Sequence, residues 1–186
     1  MKDFVNKHWS LVSATILFLA AIWIAWSTTL AGGTTEGIIP APMEGFLAPD
    51  FELTSLDGER LKLSELRGKA VLVNFWASWC PPCRSEMPAM QQIYTDFSPD
   101  DLVILAVNST HQDRLADVEN FVSERNLTFP ILLDQDGQVS ASYQVRSLPT
   151  SFFVDPDGII REVVIGGPMA EALLRTRVES LFEEEN

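Results

Sequence analysis

The chain has 186 residues and a formal net charge of −13 at pH 7, from 26 acidic and 13 basic side chains. Its length accommodates one domain of ordinary size plus an appendage. The negative charge argues against nucleic acid and anionic lipid as partners and favours a neutral or basic protein partner.

The first predicted element is an apolar segment, Trp9–Ala31, which contains no charged residue. At about 1.5 Å of rise per residue, a helix over this range crosses the roughly 30 Å hydrocarbon core of a bilayer. Lys2 and Lys7 precede the segment, so residues 1–8 are predicted to be cytoplasmic and the rest of the chain extracytoplasmic. We therefore predict a single-pass signal-anchor in the cell membrane. The alternative is a cleavable signal peptide that ends at the small residues around Ala31.

A linker and a hairpin follow the apolar segment. Residues 32–44 are rich in Gly, Thr and Pro, which is typical of a linker, and the folded domain is predicted over residues 45–186. The domain begins with a hairpin pattern, because Phe51–Thr54 and Arg60–Leu63 alternate in polarity around a turn. The next predicted strand, Ala70–Trp76, is nearly all apolar, which indicates burial on both faces.

Helices and strands then alternate to the end of the chain. The predicted elements are a helix from Pro81 to about Phe97, a strand over Leu102–Val107, a helix over Asp113–Arg125, a short strand over Phe129–Leu133 with the turn Asp134–Gly137, a hairpin of Ser151–Val154 and Ile159–Ile165, and a closing amphipathic helix over Pro168–Phe182. This order predicts an α/β domain with a mixed sheet.

The two cysteines of the chain, Cys80 and Cys83, are two residues apart and directly follow the predicted buried strand. At the start of a helix, unpaired N–H groups and the positive end of the dipole favour a thiolate at Cys80. A low-pKa thiolate with a resolving partner is what thiol–disulfide exchange requires. A disulfide that closes so short a loop constrains the unfolded chain little, so a purely structural bond is a weak interpretation. A zinc half-site is the other alternative, and it needs two further ligands.

These residues resemble a known family. Trp76–Cys83 and Leu148–Thr150 together resemble the thioredoxin fold. More narrowly, Ala48–Phe51, Trp79–Pro88 and an extra strand–helix segment resemble the membrane-anchored TlpA/ResA/CcmG-like thiol–disulfide oxidoreductases over nearly all of the predicted domain. The resemblance implies a thioredoxin-like α/β fold, with a mixed central sheet flanked by helices, an N-terminal β-hairpin and a strand–helix insertion.

The resemblance also implies roles for individual residues. Cys80 is the expected nucleophile and Cys83 the more buried resolving thiol. A cis peptide bond is expected between Leu148 and Pro149, where it keeps metals from the thiols and presents the Leu148 backbone to an extended substrate. The alternative is an ordinary trans proline at the start of an edge strand. The expected substrate-binding residues are Trp79, Pro81, Pro82, Leu148, Pro149 and Thr150, and neither a cofactor nor a metal is expected.

Glu86 is a further candidate, because it follows Cys83 by three residues and returns to the same helix face. Partial burial and a nearby thiolate would each raise the pKa of its carboxyl. In the family the matching Glu passes a proton to or from the buried cysteine. Ordinary thioredoxins carry a buried Asp where this chain has Asn74, and Asn cannot titrate, which favours Glu86 as the proton shuttle. The alternative is a solvated Glu86 paired with Arg84.

The resemblance favours an enzyme that reduces a specific protein disulfide outside the cytoplasm in cytochrome maturation. The expected substrate is the pair of haem-site cysteines in apocytochrome c, or a metallochaperone, and a membrane thiol–disulfide carrier would donate the electrons. A membrane anchor raises the local concentration of partners at the bilayer. The alternatives are a disulfide-forming oxidase, a peroxiredoxin-like peroxidase and a non-catalytic copper-binding assembly module. Ala77 weakens the peroxidase alternative, because that chemistry needs Thr three residues before the reactive cysteine.

Overall fold

The computed structural model describes residues 39–97, 99 and 101–182. Its strands are β1 (Glu52–Thr54), β2 (Arg60–Lys62), β3 (Ala70–Trp76), β4 (Leu102–Asn108), β5 (Ile131–Leu133), β6 (Thr150–Val154) and β7 (Ile160–Ile165). Its α-helices are α1 (Pro81–Asp96), α2 (Leu115–Arg125), α3 (Gln138–Ser142) and α4 (Glu171–Glu179). Short 3₁₀ turns lie at Leu63–Leu66, Thr110–Gln112 and Ser180–Phe182.

A five-stranded mixed sheet in the order β5–β4–β3–β6–β7 forms the centre of the fold. β3, β4 and β5 run parallel, β6 is antiparallel to β3, and β7 is antiparallel to β6. β1 and β2 form a separate antiparallel hairpin. Every residue of β3 is buried, because the strand has a neighbour on both sides and apolar layers on both faces. The mixed sheet, the flanking helices and the N-terminal hairpin confirm the predicted α/β fold.

The two faces of β3 contribute to two hydrophobic cores, as the alternation of side chains along a strand requires. Leu72 and Trp76 pack with apolar residues of α1, α2 and α4. Phe75 packs with Tyr143, which follows α3, and with residues of β6 and the N-terminal hairpin region. Asn74 is on the Leu72 and Trp76 face, so the strand carries one buried amide into the core beneath α1.

The structure differs from the sequence prediction at α3, because only the preceding turn Asp134–Gly137 was predicted and no helix was predicted after it. The buried Asp134 carboxylate accepts the backbone N–H groups of Val139 at 3.2 Å and of Ser140 at 2.8 Å. A carboxylate at the start of a helix satisfies N–H groups that have no partner within the helix. This contact stabilises a short helix whose own sequence has little helical periodicity.

The closing helix and the linker also differ from the prediction. α4 begins at Glu171 rather than at Pro168, because the backbone N–H of Met169 donates to the Glu86 carboxylate and the chain at Ala170 is extended. Residues 39–44, predicted as linker, contact the domain: the Ala41 N–H donates to the carbonyl of Leu47 at 3.0 Å, and the Glu44 carboxylate accepts the N–H of Val163 at 3.1 Å.

The predicted cytoplasmic residues 1–8, the predicted membrane span 9–31 and residues 32–38 of the predicted linker lie outside the described residues. Within the described residues, no helix combines the length and apolar character needed to cross a membrane.

Candidate active site

Cys80 and Cys83 lie where β3 is followed by α1, and they are joined by a disulfide bond. Cys80 is the N-cap of α1, and Pro81 occupies the first helical position, where its missing N–H has no helical partner to lose. The backbone N–H of Cys83 donates to Cys80 Sγ at 3.3 Å. The start of the helix therefore directs an N–H group at this sulfur, and the same group would stabilise a thiolate after reduction.

The disulfide is reached from the Cys80 side. Cys80 is 3% exposed and lines a groove of about 470 Å³, whereas Cys83 is fully buried and does not line it. We call this cavity the Cys80 groove. Its walls are Trp79 with the start of α1, the loop after β4, α3, and the segment Val145–Leu148. A partner that enters the groove meets the sulfur of Cys80 first.

The predicted substrate-binding residues fall into two groups. Trp79, Pro81, Pro82 and Leu148 line the Cys80 groove, and the Trp79 side chain is 55% exposed. Pro149 and Thr150 are buried beside the groove and do not line it. The Thr150 hydroxyl donates to the backbone carbonyl of Ser147 at 2.8 Å, which fixes the segment that forms one wall.

The predicted cis peptide bond between Leu148 and Pro149 is present, and a second one joins Gly167 to Pro168. Gly167 packs between Pro149 and Glu86. A Cβ atom on Gly167 would lie 2.7 Å from Glu86 Oε2 and 2.8 Å from Pro149 Cγ. There is thus no room for a side chain at Gly167, and its backbone holds the carboxylate and the proline ring a short distance apart.

Glu86 is fully buried on α1, one turn beyond Cys83. Its Oε1 accepts the Asn74 side-chain amide at 2.9 Å, and its Oε2 accepts the Met169 backbone N–H at 3.3 Å. The alternative of a solvated Glu86 paired with Arg84 is wrong. Burial raises the pKa of the Glu86 carboxyl, and the hydrogen bonds from Asn74 and Met169 offset only part of this rise.

Asn74 connects Glu86 to the sheet. Its Nδ2 donates to Glu86 and also to the hydroxyl of Ser151 at 2.9 Å, since Ser151 is directly opposite Asn74 on β6. Asn74 Oδ1 is buried without a hydrogen-bond partner among the described residues. A buried acceptor without a partner carries a free-energy cost. Both described contacts of the Asn74 amide use its donor group, so this geometry holds the Glu86 carboxyl oxygen as an acceptor.

Asp113 fixes the loop that leads into Cys80. Its carboxylate accepts the backbone N–H of Ser78 at 2.6 Å and the Ser78 hydroxyl at 2.7 Å. It also accepts the Asn108 amide at 2.9 Å and the Arg114 N–H at 2.8 Å. Burial raises the pKa of Asp113, but these hydrogen bonds outweigh burial and hold it below its usual value. The neighbouring Trp79 indole donates to the carbonyl of Gln112 at 3.0 Å, so the exposed ring is oriented by the same loop.

Sequence reasoning missed several residues of this site. Ser151 could have been found from the register of β3 and β6, which pairs it with Asn74. The contacts of Asp113 with Ser78 and of the Met169 backbone with Glu86 had no signal in the sequence, because each joins residues that lie far apart in the chain. Among the described residues, no group of three or more His, Cys, Asp or Glu side chains is arranged to hold a metal ion.

Comparisons with known proteins place this geometry in a family. The sequence profile of the AhpC/TSA family matches residues 45–163. The chain is 36% identical over 177 residues to the thiol-disulfide oxidoreductase ResA of Geobacillus thermodenitrificans, covering 95% of this chain and 99% of that protein. It is 44% identical over 124 residues to the thioredoxin-like protein YneN of Bacillus subtilis, covering 66% of this chain and 72% of that protein.

Solved structures agree with these relatives. A secreted Mycobacterium tuberculosis disulfide oxidoreductase, described as homologous to Escherichia coli DsbE, superposes with a TM-score of 0.63 at 29% sequence identity. The match covers 70% of this chain and 95% of that structure. The predicted thioredoxin-like fold is confirmed.

Proposed function

This chain belongs to the AhpC/TSA family and, within it, to the ResA-like thiol–disulfide oxidoreductases, and from that premise we propose that its Cys80–Cys83 pair reduces a specific disulfide in another exported protein. The observation that carries the proposal is the placement of the pair at one end of the Cys80 groove, with Cys80 facing the groove and Cys83 behind it.

The proposed reaction begins with both cysteines reduced. The Cys80 thiolate attacks the substrate disulfide, forms a mixed disulfide with one substrate sulfur and releases the other as a thiolate. Cys83 then loses its proton and attacks Cys80 Sγ, which releases the second substrate thiol and closes the Cys80–Cys83 disulfide. Two electrons pass to the substrate, and a membrane thiol carrier then supplies two further electrons, which reduce the Cys80–Cys83 disulfide again.

Glu86 is the proposed proton acceptor for Cys83. The second step needs a base, because a buried thiol is a poor nucleophile until it is deprotonated. Glu86 is one turn from Cys83 on the same helix, and its burial raises the pKa of its carboxyl towards that of a thiol. A smaller difference between the two pKa values makes the proton transfer easier. Asn74 and the Met169 N–H hold the carboxylate in place.

The proposed location is the extracytoplasmic face of the cell membrane. We propose residues 1–8 in the cytoplasm, a signal-anchor over 9–31, a linker from residue 32, and the catalytic domain outside. The uncharged apolar segment supports this topology. The similarity to a secreted disulfide oxidoreductase supports an extracytoplasmic site of action.

The proposed substrate is the haem-site cysteine pair of apocytochrome c, with a metallochaperone as the alternative. Anchoring supports a partner that is itself at the membrane, because a tether raises the local concentration. The test uses full-length protein in detergent, reduced and freed of excess dithiothreitol. It is mixed with a disulfide-closed peptide that contains C-x-x-C-H, or with a peptide of the same composition in scrambled order. Free peptide thiols are alkylated and counted by mass spectrometry.

We expect the haem-site peptide to be reduced faster than the scrambled peptide, with the protein recovered as its Cys80–Cys83 disulfide. The reverse reaction starts from oxidised protein and the reduced, dithiol form of the peptide. If its equilibrium favours the disulfide-closed peptide and reduced protein, the chain is a disulfide-forming oxidase. Equal rates with both peptides would contradict the cytochrome substrate.

A further inference from the structure

We propose that Arg146 is a specificity residue, whose guanidinium binds a carboxylate beside the target disulfide of the substrate protein. The inference rests on the proposed function, because it adds a recognition contact within the Cys80 groove. It concerns which protein disulfides are selected, whereas the reaction itself is unchanged.

Arg146 lies in the segment that leads to the Leu148–Pro149 bond and lines the same groove as Cys80. The side chain is exposed. Within the described part of the chain it has no hydrogen bond, ion pair or aromatic contact. Arg84, by contrast, is engaged, because it donates to the carbonyl of Ser78 at 3.0 Å and lies 4.5 Å from the ring centroid of Phe121.

The electrostatic character of the groove differs from that of the whole molecule. The chain has 26 acidic and 13 basic residues, yet no Asp or Glu is among the residues that line the groove. The acidic side chains nearest in sequence to the α3 wall are used elsewhere, since Asp134 caps α3 and Asp136 accepts the Gln138 N–H at 3.1 Å. A substrate segment in the groove therefore meets the guanidinium of Arg146 and no carboxylate among the lining side chains.

His111 also lines the groove. Its Nδ1 lies 3.4 Å from the carbonyl of Asp134, and its Nε2 lies 3.2 Å from the amide nitrogen of Gln112. Both ring nitrogens of His111 are therefore in contact with neighbouring polar groups. Arg146 is the one Lys or Arg side chain among the residues that line the groove.

A carboxylate is the partner that this chemistry selects. The planar guanidinium matches a carboxylate with two parallel hydrogen bonds. The net charge of −13 disfavours a partner protein that is strongly acidic overall. We therefore expect Arg146 to recognise one Asp or Glu next to the target cysteines. Exposed ion pairs are modest, and we expect a rate preference of about threefold.

The test compares full-length wild type, Arg146→Gln, Arg146→Glu and the control Arg125→Gln. Arg125 is an exposed arginine at the end of α2, outside the groove lining. The probes are disulfide-closed peptides that differ only in one residue, Glu, Gln or Lys, placed next to the first or the second cysteine. The second-order rate constant for reduction is measured for each pair, and the neutral 2-hydroxyethyl disulfide reports whether each variant remains intact.

For at least one of the two positions, we expect wild type and Arg125→Gln to reduce the Glu peptide about three times faster than the Gln peptide. Arg146→Gln should remove this preference, and Arg146→Glu should transfer it to the Lys peptide, with unchanged rates for the neutral disulfide. The proposed Arg146 contact is wrong if the preference for Glu survives in Arg146→Gln, or if wild type shows no preference at either position. Either result leaves the proposed reductase function standing. If wild type reduces no peptide at all, the proposed function fails and the contact fails with it.

Discussion

Replacing Cys83 with Ala is expected to trap the substrate on Cys80 as a stable mixed disulfide, with turnover reduced to the rate seen without protein. The reason is geometric: Cys80 faces the groove, whereas Cys83 is fully buried behind it and reaches only Cys80. Without the resolving thiol, the mixed disulfide has no intramolecular exit. The measurement is the mass of the protein–peptide adduct under non-reducing conditions after incubation with a disulfide-closed peptide.

The matched variants are Cys80→Ala and Ser85→Ala. Cys80→Ala should neither turn over nor accumulate adduct, because its remaining thiol is inaccessible. Ser85 is an exposed residue of α1 whose hydroxyl, among the described residues, donates to the carbonyl of Pro81 in its own helix, so its loss should leave turnover intact. Adduct formation on Cys83 in Cys80→Ala, at the yield found for Cys80 in Cys83→Ala, would reverse the proposed roles of the two cysteines.

Replacing Glu86 with Gln is expected to slow the resolution of the mixed disulfide about 100-fold at neutral pH, the size of a typical general-base contribution. Gln keeps the shape of the side chain but cannot accept the Cys83 proton. The wild-type rate of resolution should rise with pH as the Glu86 carboxyl loses its proton, and this titration should be absent in Glu86→Gln. The measurement is the single-turnover rate of peptide release between pH 5 and pH 9. Glu119→Gln, at an exposed position on α2, is the control and should retain the wild-type profile.

The same variant makes a prediction about stability. Because burial raises the pKa of Glu86 in the folded protein, the native state holds this proton more tightly than the unfolded state. The favourable contribution is complete below the ordinary pKa of 4.5 and is lost as the pH rises through the raised value. The free energy of unfolding is measured in urea for Glu86→Gln and for wild type. The stability of the variant relative to wild type should therefore increase as the pH rises. A difference that is constant with pH would contradict the raised pKa.

The centre of the fold is predictable because its signals are local. Ala70–Trp76 is read correctly as a buried strand from its continuous apolar run, and α1 follows from the prolines at its start and the length of its pattern. The cysteine pair directly follows the predicted strand and begins the predicted helix, so its position between β3 and α1 could be predicted from the sequence.

The parts that sequence reasoning missed depend on contacts between distant segments. Glu86 was expected to be partly buried, but its full burial requires the Met169 segment, 83 residues further along the chain. α3 depends on the Asp134 carboxylate, which looks like an ordinary turn residue in the sequence. Because α3 forms one wall of the Cys80 groove, the groove and the position of Arg146 within it could not be predicted either.

The equilibrium reduction potential of the Cys80–Cys83 couple tests the proposed direction of electron flow most directly. Full-length protein in detergent is equilibrated with dithiothreitol or glutathione buffers, and the reduced fraction is measured by thiol alkylation. We expect a potential of about −250 mV or lower, within the range of reducing thioredoxins. A potential near about −120 mV would identify a disulfide-forming oxidant and contradict the proposed reductase.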